Sequence, residues 1–573
     1  MKRSLSALMD TEYDLVIVGG GIFGICAAWD AVLRGLSVAL VERGDFCGGT
    51  SANSYKMVHG GIRYIQHADI VRVRESCRER SALLRVAPHL VQPLSIVIPT
   101  YGHGKNGKAL LAAGFWTYDL FTLDRNRLIH DPARRISRGR LLGRSEALDL
   151  FPGLEPKGLT GAVLFCDGQM YNPTRLAISF LRSAVAAGVQ VANYVEAIDF
   201  LRSKARVAGI EARDRITGEQ LPIRGKVVLN AAGPWAESLL EKRLGLRLER
   251  KGVYSRDACF VVPRRFDHHY ALAIQGRTRD PDAVLSRAAR HLFVVPWRDY
   301  SLIGVWHIVH DEGPDNFTVT ERDLQAFIEE INWAYPDLEL GLDDVLMWNA
   351  GLVPFGENEP GSTNLSYGKR SIIIDHGQQH QFEGLITLIG IRYTMARGDA
   401  AKAIDLVAKK LGHQAPRPAT DRIPIHGGQI EHFEEFVRKT REQNPFPLPG
   451  PITLALLHNY GSEYKRVLRY GEENPSWREV IGNSTVIQAE VIHAVREEMA
   501  LKLADVVFRR TDLATGQHPG QQALKTCAQL MAMELNWTTE RLQEEVKAVE
   551  RVFPLFGRAN HFDFSREMSV IPQ

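Results

Sequence analysis

Residues 13–42 constrain this chain more than any other stretch. Tyr13–Val18 is a short, mostly apolar run, the pattern of a parallel strand buried on both faces. Gly19, Gly21 and Gly24 follow with the spacing G-x-G-x-x-G. The first glycine permits a tight turn, the second lets the backbone approach a pyrophosphate, and the third lets the next helix pack on the strand. The helix starts inside this segment, so its unpaired N–H groups and positive dipole end face the phosphates. A second apolar strand is predicted over 37–41, ending in Glu42, eighteen residues after Gly24. An acid there suits a ribose 2′-hydroxyl and disfavours a 2′-phosphate, so FAD or NAD is expected rather than NADP. A lone G-x-G-x-x-G is weak, but strand, glycines, helix, strand and acid in register form a dinucleotide site.

A second glycine-rich segment, residues 48–64, brings one histidine, His59, and one arginine, Arg63, toward whatever the dinucleotide carries. At 573 residues the chain is long enough for two or three domains. Its net charge of +3 is too mild to imply nucleic acid. The six cysteines are scattered and form no C-x-x-C, which suggests neither a zinc site nor a disulfide framework, so no metal and a reducing, cytoplasmic setting are expected. The first ten residues are too short for a signal peptide, and no eighteen-residue apolar run is available to span a membrane. Residues 109–121 are apolar and aromatic, with Lys105, Lys108, Arg125 and Arg127 at the flanks. That pattern suits a helix lying in a bilayer interface, and equally a core helix with solvated ends.

Further along, helices are predicted over 141–154, 175–187, 321–335 and 398–411, and strands over 189–194, 207–212, 226–231 and near 386–389. A turn at Thr217-Gly218 suggests a hairpin. Between about 240 and 380 short strands alternate, as in an antiparallel sheet. Two proline clusters, 415–424 and 445–451, lead into a helical tail with heptad-like apolar spacing over 485–508.

On these residues the chain resembles the FAD-dependent, respiratory-type glycerol-3-phosphate dehydrogenases. The matching strings are Asp14-Leu-Val-Ile-Val-Gly-Gly-Gly-Ile-Phe-Gly24, Gly49-Thr-Ser51, Ser54-Tyr-Lys-Met-Val-His-Gly-Gly-Ile-Arg-Tyr64 and Asn230-Ala-Ala-Gly-Pro-Trp235, with Asn459-Tyr-Gly461 and Phe508-Arg-Arg-Thr511 in the tail. The resemblance implies an α/β fold: a Rossmann-like FAD-binding domain, an antiparallel-sheet substrate domain and a C-terminal α-helical domain. The expected FAD-binding parts are 1–100, 161–240 and 381–415. The substrate domain is expected over 241–380, with 101–160 an insertion or membrane-surface segment and 416–573 the helical domain. A small, phosphorylated polyol is the implied substrate, and quinone or oxygen the electron acceptor. A homodimer and peripheral contact with the inner face of the cytoplasmic membrane are also implied.

The resemblance assigns roles to matching positions. Gly19, Gly21 and Gly24 would hold the pyrophosphate and Glu42 the ribose. Thr50, Ser51 and Ser54 would bond phosphate and ribityl oxygens. Lys56 and His59 would lie near the flavin ring, Ala197 at the adenine, Gly233 along the cofactor, and Gly390 and Thr394 at the pyrimidine end. Arg63 and Arg370 match arginines that hold a substrate phosphate, with Tyr64 beside them, and guanidinium suits that task because its planar fork binds phosphate bidentately. Arg392 is placed to stabilise a reduced, anionic flavin. His59 is a candidate base for the alcohol proton, or a histidine fixed against the flavin. The chain departs from the family pattern at Ile391 for a glycine, Val353 for an arginine, and Trp306-His307 for a threonine and an acid. These changes predict a reshaped substrate pocket lined by Trp306 and Val353, with His307 replacing or assisting His59. Another alcohol or amine as substrate, or a flavoprotein without turnover, are the alternative readings.

Overall fold

The computed structural model describes residues 1–553 except 63, 65–68, 103–107, 205, 249–253, 280–288, 311–312, 316–318, 355–369, 415 and 444–446. The expected first strand is present as Tyr13–Val18 and the second as Val38–Glu42. They pair in parallel, Val16 opposite Ala39. The sheet runs Ile372–Asp375, Leu385–Ile389, Gln220–Asn230, Tyr13–Val18, Val38–Glu42, Gln190–Asn193, and along this run of six strands the Ile372–Asp375 edge is antiparallel and the other pairs are parallel. Helices Ile22–Leu33, Pro173–Ala186 and Ala396–Lys410 bury one face in a cluster that includes Ile25, Leu176 and Ile404. Residues of Val195–Ser203 and Arg206–Asp214 cover the other through Phe200 and Ile210. Burial on both faces explains why these strands read as unbroken apolar runs. Gln220–Asn230 serves twice: its first half pairs antiparallel with Arg206–Asp214, closing the expected hairpin, and its second half pairs parallel with Tyr13–Val18.

A nine-stranded sheet faces this one. Five of its strands come from the predicted antiparallel region, in the order Met347–Pro354, Tyr254–Pro263, Tyr300–His310, Ala289–Trp297, Ala271–Arg279. The rest lie earlier in the chain: Val91–Tyr101, Leu159–Met170, Met57–Val58 and Arg140–Leu142. Val91–Tyr101 and Leu159–Met170, expected within FAD-binding segments, therefore pair with each other in the second sheet. Local patterning identifies strands but not the sheet they join, because partner choice rests on contacts far apart in sequence. Helix Glu321–Ala334 packs Leu324, Phe327 and Ile331 onto the outer face of the second sheet and leaves the inner face toward the first.

The tail is helical, with its own core around Leu457, Val491 and Leu524. Two local expectations differ. The helix expected over 141–154 is a strand, Arg140–Leu142, then a helix, Arg144–Leu150, divided by Gly143 at the helix N-cap. The heptad run 485–508 is broken: Gln488–Glu498 ends at Met499, whose φ of 55° is left-handed, and a π-helical turn, Val506–Arg510, follows. Apolar spacing reports the buried face but not the backbone break within it.

Helix Lys108–Phe121 has a split character. Phe115 and Tyr118 are buried, while Trp116 and Leu120 are each 65% exposed and Leu123, just beyond the helix, 67%. Among the described residues, no helix is long and apolar enough to cross a membrane.

Candidate functional site

A cavity of about 1250 Å³ lies between the two sheets. At one end stands the glycine turn. Gly19 has φ 110°, and a Cβ there would come within 2.5 Å of the Ala231 carbonyl oxygen. A Cβ on Gly24 would stand 2.0 Å from the Gly19 oxygen, so only glycine lets helix Ile22–Leu33 reach the strand. Ser51 Oγ accepts the Ile22 N–H at 3.0 Å and keeps its own proton to donate into the cavity. Glu42 accepts the N–H groups of Gly20 at 2.7 Å and Gly44 at 2.9 Å. Burial raises its carboxyl above the ordinary range against those two bonds. Ala197, Gly233, Gly390 and Thr394 line the same cavity.

The second sheet meets this end closely. Gly351 leaves room for Thr50, since a Cβ there would sit 2.7 Å from Thr50 Cγ2, and Thr50 Oγ1 donates to the Leu352 oxygen at 3.1 Å. Ser54 Oγ is buried with no hydrogen-bond partner among the described residues. An orphaned buried hydroxyl on the wall of a dinucleotide-shaped cavity fits a ligand with oxygen acceptors. With the Gly19–Gly24 turn and Glu42, the residues present fit FAD: Gly21 and Ser51 would hold its pyrophosphate, Glu42 its ribose, and Thr50 and Ser54 its ribityl chain.

The far end carries a second set of charged groups. Arg392 Nη1 donates to Tyr64 Oη at 2.5 Å, and its guanidinium lies 5.0 Å from the Tyr64 ring centre. Arg72 lies 4.6 Å from that centre. His59 meets the same ring edge-on at 6.1 Å. Asp69 caps the helix Ile70–Val86, accepting Arg72 N at 2.9 Å and Arg72 Nε at 2.7 Å. Burial opposes its charge, but those bonds, with Arg72 and then Arg370, hold Asp69 below the usual carboxylate range. Arg370 is itself exposed and acts on the site through this field. Arg63 lies outside the described residues. Behind His59, Asp167 Oδ1 accepts Gly60 N at 2.6 Å and is paired with the fully buried Arg80 at 2.5 Å, which fixes the loop.

The roof is made by adjacent strands of the second sheet. Asp257 pairs with His307 on one side and Gly351 on the other, and Ser255 pairs with Val353. Asp257, His307 and Val353 all line the cavity. His307 Nδ1 and Asp257 Oδ1 are 2.7 Å apart, and Ser255 Oγ donates to the same oxygen at 2.5 Å.

Two expected pocket residues sit elsewhere. Trp306 stacks on Phe327 with ring centres 5.5 Å apart, among the cluster under helix Glu321–Ala334. Successive strand residues face opposite sides, so Trp306 and His307 cannot share a pocket. Lys56, with φ 60°, is turned into the second sheet, where Nζ donates to Asn349 Oδ1 at 2.6 Å and lies 4.8 Å from the Trp297 ring centre. Burial lowers its ammonium to about 8. Sequence reasoning missed Asp69, Arg72, Asp257 and, on the tail, Lys502 and Arg509, which also line the cavity. For Asp69 and Arg72 the D-x-x-R string before an amphipathic helix was a usable cap signal. For Asp257 only strand register supplies one.

A parallel, glycine-turned nucleotide sheet facing an antiparallel sheet across a dinucleotide cavity defines an FAD-dependent oxidoreductase. The family model described as "FAD dependent oxidoreductase" matches residues 14–392, and that of the "C-terminal domain of alpha-glycerophosphate oxidase" matches 418–542. The chain belongs to the FAD-dependent glycerol-3-phosphate dehydrogenase family. It is 30% identical to a glycerol-3-phosphate dehydrogenase of a Synechocystis strain, over 95% of this chain and 97% of the relative. It is also 30% identical to a probable mitochondrial glycerol-3-phosphate dehydrogenase of Dictyostelium discoideum, over 94% and 83%. The solved glycerol-3-phosphate dehydrogenase of Bacillus halodurans, complexed with FAD, superimposes with a TM-score of 0.75 at 25% identity, covering 96% of each chain.

Proposed function

We propose that this enzyme oxidises the secondary alcohol of glycerol 3-phosphate or a closely similar phosphorylated polyol. The observation that carries the reading is the division of charge along the far end of the cavity. Arg72 and Arg392 converge on Tyr64 and supply guanidinium groups for a phosphate. The Asp257–His307 pair stands on the roof as a proton acceptor. Bound FAD supplies the hydride acceptor. The protein holds the phosphate at the arginine corner, so that the carbinol carbon is presented between Tyr64 and the roof. Asp257 fixes the Nδ1–H tautomer of His307, which leaves Nε2 as the basic nitrogen for the hydroxyl proton. His59, edge-on to Tyr64 and among cations, positions the substrate in this scheme.

Anaerobic mixing with glycerol 3-phosphate should bleach the flavin band in a single saturable phase, and glycerol should fail to do so. Bleaching by unphosphorylated alcohols or amines at equal rates would overturn the assignment. Electrons leave to quinone or oxygen, and steady-state turnover with each acceptor separates the two. A homodimer is part of the reading, tested by light scattering. Peripheral membrane contact is supported by the exposed Trp116, Leu120 and Leu123 with the exposed Arg127 nearby, the amphipathic composition of an interfacial helix end, whereas Arg125 is buried and paired with Asp119.

A further inference from the structure

The helical tail reaches the cofactor cavity at the end marked by Glu42. Asp45, three residues on, is buried and receives two successive arginines of the tail. Arg510 binds it bidentately, Nη1 to Oδ2 at 2.8 Å and Nη2 to Oδ1 at 2.7 Å. Arg509 Nε reaches Oδ2 at 2.6 Å, while its Nη2 turns to Asp505 Oδ1 at 2.7 Å. Tyr194 Oη donates to that same Asp505 oxygen at 2.6 Å. Asn193 Nδ2 ties the group together, donating to Asp45 Oδ1 at 3.0 Å and to the Met499 oxygen at 2.9 Å. The arginines lie on the π-helical turn Val506–Arg510, a geometry that recurs at functional sites.

Stability alone does not account for this cluster. Buried ion networks recover little more than their desolvation cost, and apolar residues of similar size serve as well. Arg510 by itself satisfies both oxygens of Asp45. The second arginine differs in position: Arg509 lines the cavity beside Glu42, Gly44 and Asp45, as do Tyr194 and Lys502. Lys502 Nζ lies 5.0 Å from the Tyr194 ring centre. The tail thus sets two cations on the wall where the adenosine diphosphate half of the dinucleotide belongs.

We infer that Lys502 and Arg509, carried by the C-terminal helical domain, are ligands of the adenosine diphosphate half of FAD, and that Asp45–Arg510 is the latch that seats them. The helical domain, which among the described residues lines the cavity through Lys502 and Arg509, then has a task in holding the cofactor. Burial works against the charge of Asp45, but Arg510 and Arg509 overcome it and hold its carboxyl down at about 2, so the latch is charged at any physiological pH.

The test uses full-length apoprotein titrated with FAD and followed by flavin fluorescence. It rests on the FAD assignment, and a parent chain that binds no FAD would overturn that assignment and not the latch. Lys502→Met and Arg509→Met should each raise the FAD dissociation constant about tenfold, the loss of one charged hydrogen bond. Asp45→Asn should raise it further and make residues 498–511 cleavable in limited proteolysis. Asp512→Asn is the control. It breaks the 2.6 Å Arg298–Asp512 pair, which also ties the tail to the body but lies outside the cavity. It should lower the melting temperature and leave FAD affinity unchanged. FAD affinities of Lys502→Met and Arg509→Met within twofold of the parent would overturn the inference. So would an equal weakening by Asp512→Asn. If Arg509→Met fails to fold, Lys502→Met decides alone, since its half-buried side chain is not part of the ion cluster.

Discussion

Replacing Asp257 by Asn tests the proton acceptor with the least change in shape. The asparagine oxygen can still accept from His307 Nδ1, and the amide fills the same volume. What disappears is the negative charge 2.7 Å from the imidazole, which stabilises the ring once it has taken the substrate proton. A charged hydrogen bond is worth about 1.5–3 kcal/mol, and about 1.4 kcal/mol is a factor of ten in rate. Asp257 and His307 retain 26% and 12% of their side-chain exposure, so solvent screens part of the effect and the lower end applies. The limiting rate of anaerobic flavin reduction by glycerol 3-phosphate should fall about 10- to 30-fold. The apparent substrate dissociation constant should change little, because the phosphate corner is untouched. His307→Asn, which removes the acceptor itself, should cost about 10²–10⁴-fold. Limiting rates within twofold of the parent for both variants would refute the assignment and return the proton to His59.

Three further outcomes are expected. Gly24→Ala should purify without flavin, since its methyl would sit 2.0 Å from the Gly19 oxygen, and an absorbance spectrum reads the loss directly. Glu490 is buried, and burial raises its carboxyl to about 8. The folded chain therefore holds a proton that the unfolded chain releases above about pH 4.5, so parent stability falls as pH rises from there to about 8 and then levels off. Glu490→Gln should accordingly melt higher than the parent by a margin that grows over that window, measured by thermal scans at each pH. Trp116→Ser with Leu120→Ser and Leu123→Ser should abolish co-sedimentation with anionic lipid vesicles while leaving flavin reduction unchanged. Undiminished sedimentation would remove that surface from consideration.

Much of the nucleotide half was legible because its determinants are local. Strand, turn, helix and acid lie within thirty residues, and each glycine answers to one steric contact visible in the fold. The substrate half was legible in kind but not in arrangement. Asp257 and His307 are fifty positions apart and meet only through strand register. Trp306 is the instructive miss. A strand alternates faces, so two adjacent residues could not both line the pocket, and the period-two rule was available from sequence. Lys56 was unreadable for a different reason: its left-handed backbone turns the side chain away from the cavity that its neighbours line.

Strand register also decides which departures from the family pattern concern substrate. Asp257 is the cross-strand partner of His307, and Ser255 that of Val353, and Asp257, His307 and Val353 line the cavity together. Trp306 belongs to the opposite face and is repacked against Phe327. The positions where the resemblance implies an arginine and an acid, 353 and 307, carry valine and histidine on a single surface, with Asp257 beside them. The roof carries no arginine at 353, and at 307 it carries an imidazole, a group suited to take a proton. Among the described residues, Arg72 and Arg392 bring their guanidinium groups together at Tyr64. On the proposed reading the substrate's phosphate sits at that corner and its reacting hydroxyl at the roof. Under that reading it is this separation, rather than the loss of any one residue, that would select a polyol carrying its phosphate at one end.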